Sequence, residues 1–402
     1  MMFDPSEFHV PDSPFTTQMP ISAIDRQRRS VLGVVAKRSY AVDPHGRCTP
    51  LAEQAPLNLG PVDDPEHREL ILADSDVFLD KLAVDLVVRG HAWNHPGTPS
   101  WLAEVLVDRG AFRAQLQVHG DRRAGLSQTG RIAFSPPARV DKVALSYRNA
   151  YGGCDERGEA RRGFPFEPML AGVPESERDL ARAALSLWHY PRNRAGKGYL
   201  VEFERESLDA LELPNLEHPH DLLTPERLVV GDMWHWPLQP LPASFDWLDH
   251  GTFPRLGWFG DCPDWEDVDL APSIDAFPEL RFGHAERELF DPDNTPAESF
   301  DRRALNGASL GMRVAQLRGD ELLTLTNLHP SLPQWLLQLP GERPKLWVDD
   351  RQGSVRELEA KLSSVLIEPD EQRLTLVWYG WTPARRPYLE HELIKMPYLV
   401  EW

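Results

Sequence analysis

The segment GASLG (307–311) sets Ser309 in the Gly-x-Ser-x-Gly frame that presents a nucleophile on a strand-to-helix elbow, and Asp320 and His329 follow in the order serine, acid, histidine. That elbow needs a buried strand before the serine and a helix after it. Here the polar DRRALN precedes Ser309 and a run of strand character follows, so the residues predict a turn rather than a nucleophile. His218, His220 and Asp221, with His235 beyond, form the next group with ligand chemistry, because alternate positions on an extended segment share one face. Two prolines interrupt that run and no cysteine or third histidine stands at a fixed spacing, which favours histidines bonded to loop carbonyls. His91 and His95 are four apart, but Pro96 and Gly97 would break a helical turn. The DPDN at 291–294 opens like a calcium loop, yet Pro296 stands where its glycine belongs and Arg302 where its final glutamate belongs. With no Gly-x-Gly-x-x-Gly, Walker loop or Cys-x-x-Cys, no cofactor is expected.

Charge offers a different kind of site. The stretch DCPDWEDVDL (261–270) carries Asp261, Asp264, Glu266, Asp267 and Asp269 without a basic residue. It reads either as solvated surface or as a docking patch for a basic partner, since complementary charge speeds and orients encounter. Over the whole chain the net charge of −19 repels nucleic-acid phosphates and anionic lipids, so neither partner is expected. Three widely spaced cysteines, Cys48, Cys154 and Cys262, suit a reducing compartment. The acid- and proline-rich N-terminus lacks the form of a secretory signal, and no run approaches ~18 apolar residues. A cytoplasmic, soluble chain is the expectation.

The elements that must position such residues are mostly strands. At 402 residues the chain exceeds the ~250–300 at which one core stops growing, and 37 prolines shorten helices. SVLGVVAKRSYAV (30–42), a DPHG turn and a second extended run toward Leu59 predict a hairpin. Strand character returns at 82–93 and 101–108. In 111–121, Phe112, Ala114, Leu116 and Val118 alternate with Arg113, Gln115, Gln117 and His119. Short strands resume over 321–328, 334–339, 344–349, 356–369, 372–381 and 388–396. The predicted architecture is mainly β: a polar arm (1–30), an antiparallel, sandwich-like N-terminal lobe (31–150), an irregular Pro- and Trp-rich bridge (151–310) with a helix near 175–190, and a C-terminal β lobe (311–402). Within the bridge, Gly152 and Gly153 are expected to turn the strand ending near Tyr147, and Pro214 and Asn215 to form a turn. Glu217 is expected to pair with an arginine such as Arg122 or Arg148, as a latch rather than a catalyst.

In their order and spacing, VVAKRSYAVDPHGR (34–47), VHGDRRA (118–124), LSYRNAYGG (145–153) with RGFPF after it, LPNLEHP (213–219), LRGDELLTLTNLHP (317–330) and IEPDEQRLTLVWYG (367–380) resemble the family called domain of unknown function 2169. The chain departs from that pattern at Ala124, where an aromatic is usual, and in CDERGEARR, where the family places Asn-Pro. The resemblance implies a type VI secretion adaptor, or effector chaperone, that binds a toxic effector in the cytoplasm and helps load it onto the valine-glycine repeat (VgrG) spike or its PAAR tip. Such a protein needs a broad surface with aromatic anchors, for which Trp234, Trp236, Trp247 and Trp258 are candidates; burial beneath the bridge is the competing fate of each ring. The alternative is a hydrolase or metal-dependent enzyme built on the His/Asp-rich bridge.

Overall fold

The computed structural model describes residues 17–25, 29–67, 69–155, 174, 189–203, 205–231, 233–249, 251–252, 255, 305–350 and 355–402. Alternation in the sequence becomes alternation in burial. Along Ser100–Val107 the side chains of Trp101, Ala103, Val105 and Val107 are buried, and along Phe112–His119 those of Ala114, Leu116 and Val118. These strands pair antiparallel from Val107↔Phe112 to Ser100↔His119. One face of the pair enters the core and the other stays wet, as period-two patterning requires.

Two large sheets dominate a mainly β structure. The seven-stranded sheet runs Gln18–Ile24, Ser30–Val42, Arg373–Pro383, Lys361–Glu368, Val84–Val88, Arg313–Val314, with Cys48–Pro50 beside Ser30–Val42. The five-stranded sheet runs Leu216–Glu217, Phe112–His119, Ser100–Val107, Leu322–Thr326, Gln334–Gln338. A third sheet joins Val355–Leu358, Lys345–Asp349 and Tyr398–Glu401.

The division into an N-terminal and a C-terminal β lobe does not match this pairing. Ser30–Val42 is zipped to Arg373–Pro383 from Val31↔Pro383 to Ala41↔Arg373, and Ser100–Val107 pairs with Leu322–Thr326. The two ends of the chain build both large sheets together. Nor is every pair antiparallel, because Val84–Val88 lies parallel to Lys361–Glu368. All five residues of Val84–Val88 are buried, so this strand takes neighbours on both sides and cover on both faces. One apolar cluster accordingly mixes early and late residues, among them Leu32, Tyr40, Leu86, Val105, Leu325, Trp335 and Trp378.

Two other expectations change. The second arm of the expected hairpin shrinks to Cys48–Pro50, with the chain toward Leu59 irregular, and Ser30–Val42 forms its longer hairpin with the preceding Gln18–Ile24. Residues 388–396 contain the helix Glu390–Leu393 rather than a strand. There the Glu392 carboxylate reaches back to the Leu389 N–H at 2.9 Å and pairs with Arg386, capping a helical turn locally. The helix near 175–190 lies outside the described residues. Among the described residues, no helix is long and apolar enough to cross a membrane.

Candidate functional site

The bridge contains an organised junction, built from the motif residues upward. After Lys142–Ala144 the chain makes a 3-10 turn, Tyr147–Asn149, whose start is capped by the Ser146 hydroxyl accepting from the Arg148 N–H. Tyr147 turns inward and donates to Ser309 Oγ at 2.8 Å; burial pushes its phenol up to about 12. Gly152 and Gly153 follow at φ 149° and 93°. A Cβ on the first would collide with the carbonyl oxygen of Asn193, and one on the second with that of Gly196. Both the conformation and the close approach therefore demand glycine.

What the glycines approach is a loop closed by main-chain bonds: Gly153 N–H to Asn193 O (2.9 Å), Tyr190 N–H to Gly153 O (2.9 Å) and Tyr199 N–H to Gly152 O (3.0 Å). Asn193, itself buried, donates to the carbonyls of Tyr147 and Tyr151. Inside the loop sits a second core of Tyr151, Tyr190, Tyr199 and Trp236 with Leu208 and Leu223. Tyr151 and Tyr190 meet edge to face at 5.0 Å, and the Arg192 guanidinium lies 5.1 Å from the Trp236 ring centroid. The described part of the bridge between Tyr151 and Trp236 thus has its own small aromatic core.

LPNLEHP stitches this unit to the five-stranded sheet. Leu216–Glu217 is the edge strand beside Phe112–His119, with Leu216↔Val118 in register. Asn215 is not at the tip of a turn. Its N–H donates to Asn149 O, its carbonyl accepts from the His119 N–H, and its amide donates to His119 O and to Asp121. The chain bends at Asn215 without closing the expected turn there, and the turn follows later, at Pro219 and His220. Pro214 keeps its carbonyl for Arg122, which donates to it at 2.9 Å. The Glu217 carboxylate is 2.8 Å from Arg122 and 3.2 Å from His119, and its other oxygen accepts from the Leu223 N–H at 3.1 Å. The contacts on Oε2 are ionic in distance but lack hydrogen-bond alignment. Arg122 is the partner of Glu217, while Arg148 instead meets His67.

The remaining candidates scatter. Trp236 and Trp247 are buried, so neither ring is available as a surface anchor in this structure, because each completes an apolar cluster. Trp234 falls in the 3-10 segment Met233–Leu238. Trp258 and Asp261, Asp264, Glu266 and Asp267 lie outside the described residues. Ser309 is buried and accepts from Tyr147, whereas His329 Nδ1 accepts the N–H groups of Ser331 and Leu332 in its own turn. No serine–histidine pair forms between them. The His218 and His220 rings lie 5.7 Å apart, tilted by 59°, and no group of three or more metal-ligating side chains converges among the described residues.

Sequence reasoning missed Asp85 and Asn193. Asp85 sits in the core strand, 2.8 Å from Lys81, and also accepts from Asn306, Gly307 and Ala308. Burial alone would raise this carboxyl, but Lys81 and Arg313 outweigh it and hold it below the usual range. It thereby fixes the GASLG segment to the sheet. A lone acid inside the apolar LAVDLVV was the available signal, since a buried charge requires a partner. Asn193 had only turn chemistry to mark it.

As a whole the junction orders main chain. Beside it opens a pocket of ≈ 180 Å³ lined by Gly152, Cys154, Lys197, Gly198, Tyr199 and Glu212, where burial holds the Lys197 ammonium below its ordinary range. The model of a family described as uncharacterized protein conserved in bacteria (DUF2169) matches residues 27–379. No curated protein and no solved structure matches the chain.

Proposed function

Because the chain belongs to the DUF2169 family, we propose that it works by binding rather than catalysis, as a type VI secretion adaptor that holds a toxic effector in the cytoplasm and helps load it onto the VgrG spike or its PAAR tip. One observation supports the binding half of this reading: the motif side chains turn inward and hold one another and the main chain in place. Tyr147 secures Ser309, Asn215 bridges three main-chain groups, and Glu217 with Arg122 closes the edge of the sheet. Residues arranged this way keep a surface in shape; they do not converge on a reacting atom. The acidic balance of the chain suits a protein whose partners are other proteins.

The test is co-purification of the tagged full chain with the proteins encoded beside its gene, followed by a delivery assay in a deletion strain. The reading requires a stoichiometric complex with a secreted protein and loss of its delivery on deletion. A chain that binds none of them, or whose deletion leaves delivery intact, is not an adaptor.

A further inference from the structure

Seven lysines occur in the chain, and four of them, Lys142, Lys345, Lys361 and Lys395, are exposed. Of the three withdrawn from solvent, two hold a carboxylate at 2.8 Å, Lys37 that of Asp76 and Lys81 that of Asp85. A buried ammonium needs such a partner. Lys197 is the exception. Its side chain is 22% exposed, the nearest carboxylate oxygen, on Glu212, is 4.0 Å from Nζ, and no described residue accepts a hydrogen bond from that nitrogen. Glu212 is itself exposed and has Arg123 at 3.5 Å on its other oxygen.

The fold sets this amine in a cavity. Lys197 and Gly198 form a two-residue strand parallel to Tyr151 and Gly152, with the Lys197 N–H donating to Ala150 O at 3.1 Å. That pairing places Lys197 in the lining of the ≈ 180 Å³ pocket beside the junction. Gly152, Gly196 and Gly198 contribute no side chain to the lining, and Tyr199, Leu200 and Leu211 give it an apolar side. Its volume is below the ~300 Å³ at which pockets begin to take drug-sized ligands, so its occupant is small.

Burial holds the Lys197 ammonium below its ordinary range, against the pull of Glu212 and Asp121 and with the push of Arg148. More of it is therefore neutral amine, the form with a lone pair to give. The acids of the lining decide what it can receive. Glu212 and the buried Asp155, whose carboxylate accepts the N–H groups of Val201 and Glu202, meet an anionic ligand with like charge. A phosphate or carboxylate is thereby disfavoured, and an uncharged carbonyl compound is not. The Cys154 thiol, the other nucleophile of the lining, is engaged with Asp155 O at 3.1 Å.

We propose that Lys197 is a covalent site for a small uncharged aldehyde, which it takes up as an imine. The Nζ lone pair forms the new N–C bond as the carbonyl π pair moves to oxygen. A proton passes from nitrogen to that oxygen, and the carbinolamine loses water to leave C=N. No oxidant or reductant is consumed. The adduct would fill the pocket beside Gly152 and the Tyr190–Tyr199 loop, so the site is a modification point on the junction itself. The inference goes beyond the adaptor reading and does not rest on it.

The test is to incubate the full chain with propionaldehyde and cyanoborohydride, which reduces an imine to a stable secondary amine, and to map the peptides by mass spectrometry. Trapping at Lys197 should be at least about tenfold faster than at Lys142, Lys345, Lys361 or Lys395, because the pocket holds the two reactants together. Its rate should also level off at a lower pH than theirs. Glyoxylate, of similar size but anionic, and naphthaldehyde, too large for the cavity, should show no such preference. Leu211→Trp, which narrows the pocket, should slow trapping at Lys197 and leave the four exposed lysines unchanged. Trapping at Lys197 no faster than at the exposed lysines overturns the proposal, as does an equal preference with glyoxylate or naphthaldehyde. A Leu211→Trp protein, folded by its thermal melt, that reacts as the parent does overturns it too. None of these results bears on effector binding, which co-purification decides separately.

Discussion

The Glu217 carboxylate lies 2.8 Å from the Arg122 guanidinium, with 1% and 9% of the two side chains exposed. The pair ties the end of VHGDRRA to the end of LPNLEHP, across the edge of the five-stranded sheet. Removing one partner leaves the other charged and nearly dry, which costs about 3–5 kcal/mol in comparable buried pairs. Glu217→Ala should therefore lower the chemical denaturation midpoint severely, and Arg122→Ala comparably. A Glu217→Lys protein of unchanged stability that no longer binds its partner would instead make Glu217 an interface residue.

Substitution at the double glycine should be felt throughout the protein. Gly152→Val or Gly153→Val adds a Cβ against a carbonyl oxygen and forces a branched residue to positive φ. Backbone strain alone contributes about 1–3 kcal/mol, and the clash adds to it. A thermal melt within error of the parent's would show that the loop from Tyr190 to Tyr199 can be displaced without cost.

Tyr147 and Ser309 form an isolated buried hydrogen bond that a double-mutant cycle can measure. Tyr147→Phe and Ser309→Ala should each destabilise by about 1–2 kcal/mol, and the double variant by less than their sum. Additive effects would mean the bond contributes nothing. Ser309→Ala should also leave any ester-hydrolysis background of the preparation unchanged, and a real activity lost with that hydroxyl would restore the nucleophile reading.

Asp246 sets a pH dependence. Burial raises its carboxyl to about 6 from the ordinary 3.8, against the opposing pull of Arg89 and of the Trp247 N–H. The folded state therefore keeps a proton that the unfolded chain releases. Its contribution to stability falls as pH rises from about 4 through about 6, and the full cost applies above that. Each tenfold change in proton affinity is worth about 1.4 kcal/mol, and solvent reaching the 19% of the side chain that stays exposed screens part of it, leaving a cost nearer ~1 than ~3 kcal/mol. Asp246→Asn keeps the acceptor for the Trp247 N–H and should raise Tm at pH 8 more than at pH 4. A difference that is flat or reversed with pH would contradict this.

Strands, their faces and the Glu217 latch were legible in the sequence because each depends on residues close together or on a chemical necessity. Alternation in 111–121 fixes which side of Phe112–His119 is buried whatever lies beyond it. A glutamate amid LPNLEHP needs a cation once it is buried, and Arg122 was one of two at hand. The GASLG turn was legible for the same reason, from polar residues before Ser309. Only the tertiary structure decided which strands pair. Nothing local distinguishes Arg373–Pro383 from other apolar strands as the partner of Ser30–Val42, since main-chain bonding is blind to separation along the chain and the choice falls to the packing of the assembled core. For the same reason the fate of the rings was open: Trp236 and Trp247 look alike in a list of residues and are assigned to different cores only when Tyr190, Tyr199 and Phe245 are brought around them.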